Sequence, residues 1–257
     1  MRFRTMLTCV AFAGALLSSA SSSSIAAESF TEAQKTELGA LIRDYLVKNP
    51  DIIQEALEEL DRRQKTAEAD QQKAALAAVG AKLNSADEGV VIGNPKGDVT
   101  LIEFFDYNCG YCKKSMIDIM GMIKADPKLR VILRDFPVLG PDSVEASLVA
   151  LAARNQLSGD KYMDFHQQLL GSKGRVGKDR ALDVAKGLGV DIDKLKKDID
   201  AGEARKLVES TMRIADQLKI GGTPTFVVGD SMIVGSVGKE PIAGAVANVR
   251  TCGKSVC

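Results

Sequence analysis

Residues 101–115 read LIEFFDYNCGYCKKS, and no other stretch of the chain limits its fold so tightly. Leu101, Ile102, Phe104 and Phe105 make an apolar run of strand length. After Asp106-Tyr107-Asn108 comes Cys109-Gly110-Tyr111-Cys112, which opens a stretch with helical spacing through Met116, Ile119, Met120 and Ile123. A Cys-x-x-Cys at a strand-to-helix junction has a physical use. The first cysteine meets the unpaired N–H groups and positive end of the helix, which stabilise a thiolate. The second lies one turn in and can close a disulfide with the first. Such a dithiol exchanges electrons. Two other readings remain on these residues alone: a static buried disulfide, or half of a zinc site completed by Cys252 and Cys257.

Far downstream, Gly221-Gly222-Thr223-Pro224-Thr225 leads into a second apolar run. Strand, CGYC, helix and this Thr-Pro segment together resemble the thioredoxin-fold disulfide oxidoreductases of the bacterial envelope. Within them the chain is similar to the DsbA-like proteins with an extra N-terminal helical segment, the group that contains ScsC. The resemblance covers roughly Thr31 to Asn248. It implies an α/β chain: a thioredoxin fold with a DsbA-like helical insertion, preceded by a helical oligomerisation segment. The 111 residues between Cys112 and Pro224 agree with such an insertion.

The resemblance also implies roles. Cys109 attacks through its thiolate and Cys112 resolves the mixed disulfide. Pro224 matches the family's cis-proline, and Thr223 before it presents backbone N–H and C=O groups to an extended substrate. Gly110 and Tyr111 tune the pair and meet the substrate. They offer no imidazole, so the expected potential is less extreme than that of DsbA, within roughly −120 to −230 mV. The CGYC sequence also matches the active site of DsbC, the bacterial isomerase. Glu103 lies on the strand between Ile102 and Phe104, and alternation sets it on the opposite face from both. If buried there it has a raised pKa and suits a proton acceptor for Cys112, as the family's buried acid does. The other reading is a solvated strand charge.

The first 27 residues read as an export signal. Arg2 and Arg4 precede an apolar run over Leu7–Leu17, and Ile25-Ala26-Ala27 makes a cleavage site before Glu28. No later stretch is apolar and long enough to span a bilayer, so the expected location is the periplasm. Removing Arg2 and Arg4 leaves 32 basic against 34 acidic residues, with no basic block, so no nucleic-acid partner is expected. Cys109, Cys112, Cys252 and Cys257 stay in the mature chain, where export permits disulfides. Four cysteines allow three connectivities, and spacing favours 109–112 with 252–257. The second pair is read as a structural disulfide past the last helix, with a second redox pair or soft-metal site as the alternative. No cofactor and no resident metal are expected. The single histidine, His166, sits among Tyr162, Phe165 and Leu169 and reads as structural.

The expected organisation is a signal over 1–27, an N-terminal helical segment over 28–84 and a linker over 85–98. A thioredoxin-like domain over 99–250 carries a helical insertion at about 141–219, and 251–257 form a tail. Leu41, Tyr45, Ile53, Leu57 and Leu60 stripe the two N-terminal helices and are expected to meet copies from other chains in a homo-oligomer. The alternative is that these helices fold back on the domain. The expected function is disulfide isomerisation in exported proteins that contain cysteines, with a membrane redox partner recycling the dithiol. A one-way DsbA-like oxidase and a copper-handling thiol protein are the alternatives.

Overall fold

A five-stranded sheet ordered β1-β3-β2-β4-β5 is the centre of the computed structural model, which describes residues 30–257. The export signal expected over 1–27 lies outside the described residues. The strands are β1 (Val90–Gly93), β2 (Val99–Phe105), β3 (Leu129–Asp135), β4 (Thr225–Val228) and β5 (Ser231–Val234). Strand β2 pairs parallel with β3 and antiparallel with β4, while β1 and β5 close the two edges antiparallel. Strand β2 is buried on both faces because its apolar run is continuous rather than alternating. Leu101 and Phe105 point into the larger core and Ile102 and Phe104 into the smaller one. Strand β3 divides in the same way, Val131 and Leu133 against Ile132.

Nine helices are described. Two precede the sheet, α1 (Glu32–Lys48) and α2 (Asp51–Leu83). Thr31 and Gln34 form a capping box that starts α1, and the Asn49 N–H bonds to the Tyr45 carbonyl where it ends. Helix α3 (Gly110–Ala125) joins β2 to β3. Helices α4 (Pro141–Ala153), α5 (Asp160–Leu170), α6 (Lys178–Gly187), α7 (Ile192–Asp200) and α8 (Glu203–Gln217) form the insertion between β3 and β4. Helix α9 (Lys239–Cys252) closes the chain. It runs through Cys252, so that cysteine is the last helical residue rather than a residue of the tail past the helix, as the sequence suggested. Gly253 stops the helix by taking a positive φ of 77°, a conformation open to glycine, with its N–H bonded to the Val249 carbonyl.

The described chain divides into two compact units between Leu60 and Asp61, inside α2, whereas the sequence reading keeps 28–84 in one segment. In the first unit α1 buries no residue, and Leu41, Tyr45, Ile53, Leu57 and Leu60 are all exposed. In the second unit the last turns of α2 bury Leu76, Val79 and Leu83 against Ile102, Phe104, Ile132 and Phe136 of the sheet and Ile214 and Leu218 of α8. The alanine-rich composition of α2 hides this. Three large apolar residues at three- and four-residue spacing are enough to seat a helix. Arg134 secures the same end. Its buried guanidinium donates to the carbonyls of Lys82 and Leu83, which α2 leaves unpaired at its C-terminus, and to that of Glu88. Burial brings the Arg134 pKa down to about 10. Among the described residues no helix is long and apolar enough to cross a membrane.

Candidate active site

Cys109 sits at the N-cap of α3 with extended backbone, φ −80° and ψ 116°, and no side-chain cap. Asp106-Tyr107-Asn108 carries the chain from β2 to that position by an Asx turn, in which the Asn108 N–H donates to Asp106 Oδ1 at 2.7 Å. Asp106 does more than shape the turn. It also accepts from Ser143 Oγ at 2.8 Å and from the Leu139 N–H at 2.9 Å. Asn108 donates to Ser143 Oγ and to the Val176 carbonyl, both at 2.9 Å, and accepts from the Val176 N–H at 2.7 Å. The dithiol loop is therefore bolted to the start of α4 and to the segment before α6. Composition hinted only at the Asx turn. The partners, 33 to 68 residues away, were not legible.

The Thr223–Pro224 peptide is cis. Its Thr223 carbonyl accepts from Cys109 Sγ at 3.3 Å, across 114 residues of sequence. Both cysteines are free, Cys109 with 6% exposure and Cys112 with none. Burial pushes the Cys112 thiol far up, and the nearby Glu103 carboxylate adds to the effect. Tyr111 is exposed, and a Cβ at Gly110 would meet nothing within 4 Å, so the dipeptide between the cysteines faces open space.

Glu103 lies on the same strand face as Leu101 and Phe105, opposite Ile102 and Phe104. It is buried, and its Oε1 has no hydrogen-bond partner. Burial raises its pKa to about 8. On β3 a second acid went unnoticed in the sequence. Asp135 projects from the same face of the sheet and pairs in register with Phe105. Both its carboxylate oxygens are buried without partners, and burial raises its pKa to about 7. A charge at the end of an otherwise buried strand was the signal. His166 packs edge-on to Phe105 and lies 3.3 Å from the Tyr107 hydroxyl through Nδ1. Burial takes its pKa down to about 3, so the ring is neutral at physiological pH.

The raised Glu103 pKa has a consequence for stability. The folded chain keeps the Glu103 proton up to about pH 8, whereas the unfolded chain loses it near the ordinary value of 4.5. Between those values the folded state binds more protons, so stability falls as pH rises. Asp135 adds in the same direction up to about pH 7. His166 acts oppositely between about pH 3 and its ordinary 6.5, because the unfolded state then carries its proton. From pH 7 to 8 Glu103 is the largest contributor of these three, at up to about 1.4 kcal/mol per pH unit. Urea midpoints of the reduced protein are expected to fall across that range and to flatten in Glu103→Gln. An equal slope in both proteins would place the titrating group elsewhere.

Cys252 and Cys257 are joined by a disulfide, apart from the first pair. Among the described residues no three His, Cys, Asp or Glu side chains converge on a point where a metal ion would sit.

A family described as thioredoxin matches residues 85–248, and one described as the copper resistance protein ScsC N-terminal domain matches residues 34–67. The thioredoxin-like oxidoreductase of Silicibacter pomeroyi DSS-3 is 38% identical, aligns with 66% of this chain and 99% of its own, and superposes with a TM-score of 0.61. ScsC of Proteus mirabilis in a transitional conformation is 29% identical over 85% of this chain and 98% of its own, with a TM-score of 0.62. The chain spans about a quarter of the length of the first curated relatives it matches. One is the Na(+)/H(+) antiporter NhaA 1 of Salinispora arenicola, 25% identical over 164 residues, 63% of this chain and 25% of the antiporter.

Proposed function

This chain belongs to the thioredoxin family, and we propose on that premise that it is a periplasmic thiol–disulfide oxidoreductase that isomerises disulfides in exported proteins. The observation that carries the reading is the contact of Cys109 Sγ with the carbonyl of cis-linked Thr223. It sets the sulfur of a helix N-cap beside a backbone edge that an extended client can pair with.

Cys109 attacks a client disulfide, and the displaced client sulfur leaves as a thiolate that takes up a proton. Two fates follow. A second client thiol attacks the client sulfur of the mixed disulfide, forms the new client bond and returns Cys109 reduced. Alternatively Cys112 loses its proton, attacks Cys109 and releases a reduced client. Glu103 receives that proton in its ionised form, the minor form below about pH 8. What supports its role is its burial and its charge coupling to Cys112, which make the thiol and the carboxyl competitors for one proton. A membrane redox partner would reset an oxidised CGYC.

Isomerisation is favoured by the first unit. Exposed Leu41, Tyr45, Leu57 and Leu60 fit the assembly of several copies, which would hold several dithiols around one client. The match of residues 34–67 to a ScsC N-terminal domain fits the resemblance from which assembly is inferred. A truncated chain should begin at Asp61 and not later, since Leu76, Val79 and Leu83 belong to the core of the second unit. The full chain is expected to reactivate a scrambled test protein at least about tenfold faster than the chain from Asp61, the advantage of local dithiol concentration. Both should oxidise a reduced peptide. If neither reactivates the scrambled protein, the activity is one-way oxidation.

A further inference from the structure

The C-terminal cysteine pair stands at the opposite end of β4 from the CGYC. Thr223, against Cys109, precedes β4, and the Gly229-Asp230 turn, which the tail covers, follows it. Four strand residues, or about 13 Å, lie between, so the two pairs of one chain cannot meet. The tail is held in place by groups other than sulfur. Buried Ser255 donates through its N–H and Oγ to Asp230 Oδ1, at 3.0 and 2.9 Å, and its carbonyl accepts from Asn248 at 2.9 Å. Gly229 lets the turn come this close: at φ +59° a Cβ there would sit 2.6 Å from a Val249 methyl. Ser255 thus pins the chain two residues before Cys257, while α9 places Cys252. Both cysteines are exposed. The thiols are pre-positioned for closure, which lowers the entropic cost of the bond.

The two pairs also occupy opposite helix ends. Cys109 caps the N-terminus of α3, where free N–H groups favour negative charge. Cys252 ends α9, where free carbonyls disfavour it. The contrast between the two helix ends favours passage of electrons from the tail pair to CGYC.

We propose that Cys252 and Cys257 are a client site of this protein's own chemistry, closed to a disulfide by the oxidised CGYC of a second copy. The proposal rests on the reading of CGYC as an exchanging dithiol. Exposed Cys257 attacks Cys109 of the second copy and breaks its bond to Cys112, which leaves as a thiolate. Cys252 then attacks Cys257, forms the tail disulfide and releases Cys109. Two electrons pass from tail to CGYC. The tail gives up two protons and the CGYC dithiol takes up two.

The test mixes two full-length variants. One, reduced, carries Cys109→Ser and Cys112→Ser and keeps only the tail dithiol. The other, oxidised, carries Cys252→Ser and Cys257→Ser and keeps only the CGYC disulfide. Alkylation and mass spectrometry follow both pairs, with an unrelated dithiol peptide as a second client. The tail is expected to close at least about tenfold faster than with glutathione disulfide at equal concentration, one CGYC dithiol appearing per tail disulfide. Oxidation of the peptide with no acceleration at the tail would overturn the proposal alone. Oxidation of neither would overturn the reading of CGYC and the proposal with it. The same measurement between unsubstituted chains, one isotopically heavy, frees the result from any effect of the substitutions on folding.

Discussion

Cys109→Ser is expected to lower disulfide exchange to the uncatalysed rate, while Cys112→Ser keeps the attack and accumulates mixed disulfides with clients. The asymmetry comes from where the two sulfurs lie. Cys109 is at a helix N-cap with 6% exposure, its sulfur beside the Thr223 carbonyl. Cys112 is fully buried, with its thiol pushed up by burial and by Glu103. A client disulfide can reach the first and not the second. A serine hydroxyl cannot form a bond to sulfur that is later exchanged, so no partial activity survives at position 109. At position 112 the client remains attached until another thiol frees it. Non-reducing gels with a test protein would separate the outcomes. Covalent adducts on Cys109→Ser in place of Cys112→Ser would reverse the assignment.

Arg134→Ala is expected to destabilise the second unit by about 3–5 kcal/mol, the usual loss when one partner of a buried charged network is removed. The guanidinium is wholly buried and serves the carbonyls of Lys82, Leu83 and Glu88, with the Glu88 carboxylate 3.7 Å away. Without it the Leu83 and Glu88 carbonyls lose this donor, and the Lys82 carbonyl keeps only the Ser85 N–H. The cost includes the seating of Leu76, Val79 and Leu83. For a unit of this size the melting temperature should drop by about 10 °C. Arg134→Lys can supply one or two of the bonds and should recover part of the loss. A melting temperature within about 2 °C of the unsubstituted protein would mean that water replaces the arginine and that apolar packing alone seats α2.

Much of the architecture was legible because it obeys local rules. The apolar run from Leu101 to Phe105 specified a strand. Gly140-Pro141 stands where α4 begins and Gly229-Asp230 where β4 ends. The five insertion helices, from Pro141 to Gln217, fill the span of about 141–219 expected for the insertion. Cys109 and Cys112 stood out because their spacing and their place at a strand–helix junction are features of four consecutive residues.

Closure of the fold decided the rest. Whether Glu103 is solvated or buried depends on what covers its face of the sheet, and Asp135 and Arg134 were silent for the same reason. The end of α2 is alanine-rich along the chain, yet the sheet and α8 supply a surface for Leu76, Val79 and Leu83. Alternation along β2 set the face of Glu103. Sequence order placed Thr223-Pro224 before a strand. Only the pairing of β2 with β4 carries the Thr223 carbonyl to Cys109. Periodicity and capping act over a few residues and can be read from them. Burial of a charge and contact between distant segments depend on how the whole chain packs, and no local pattern encodes them.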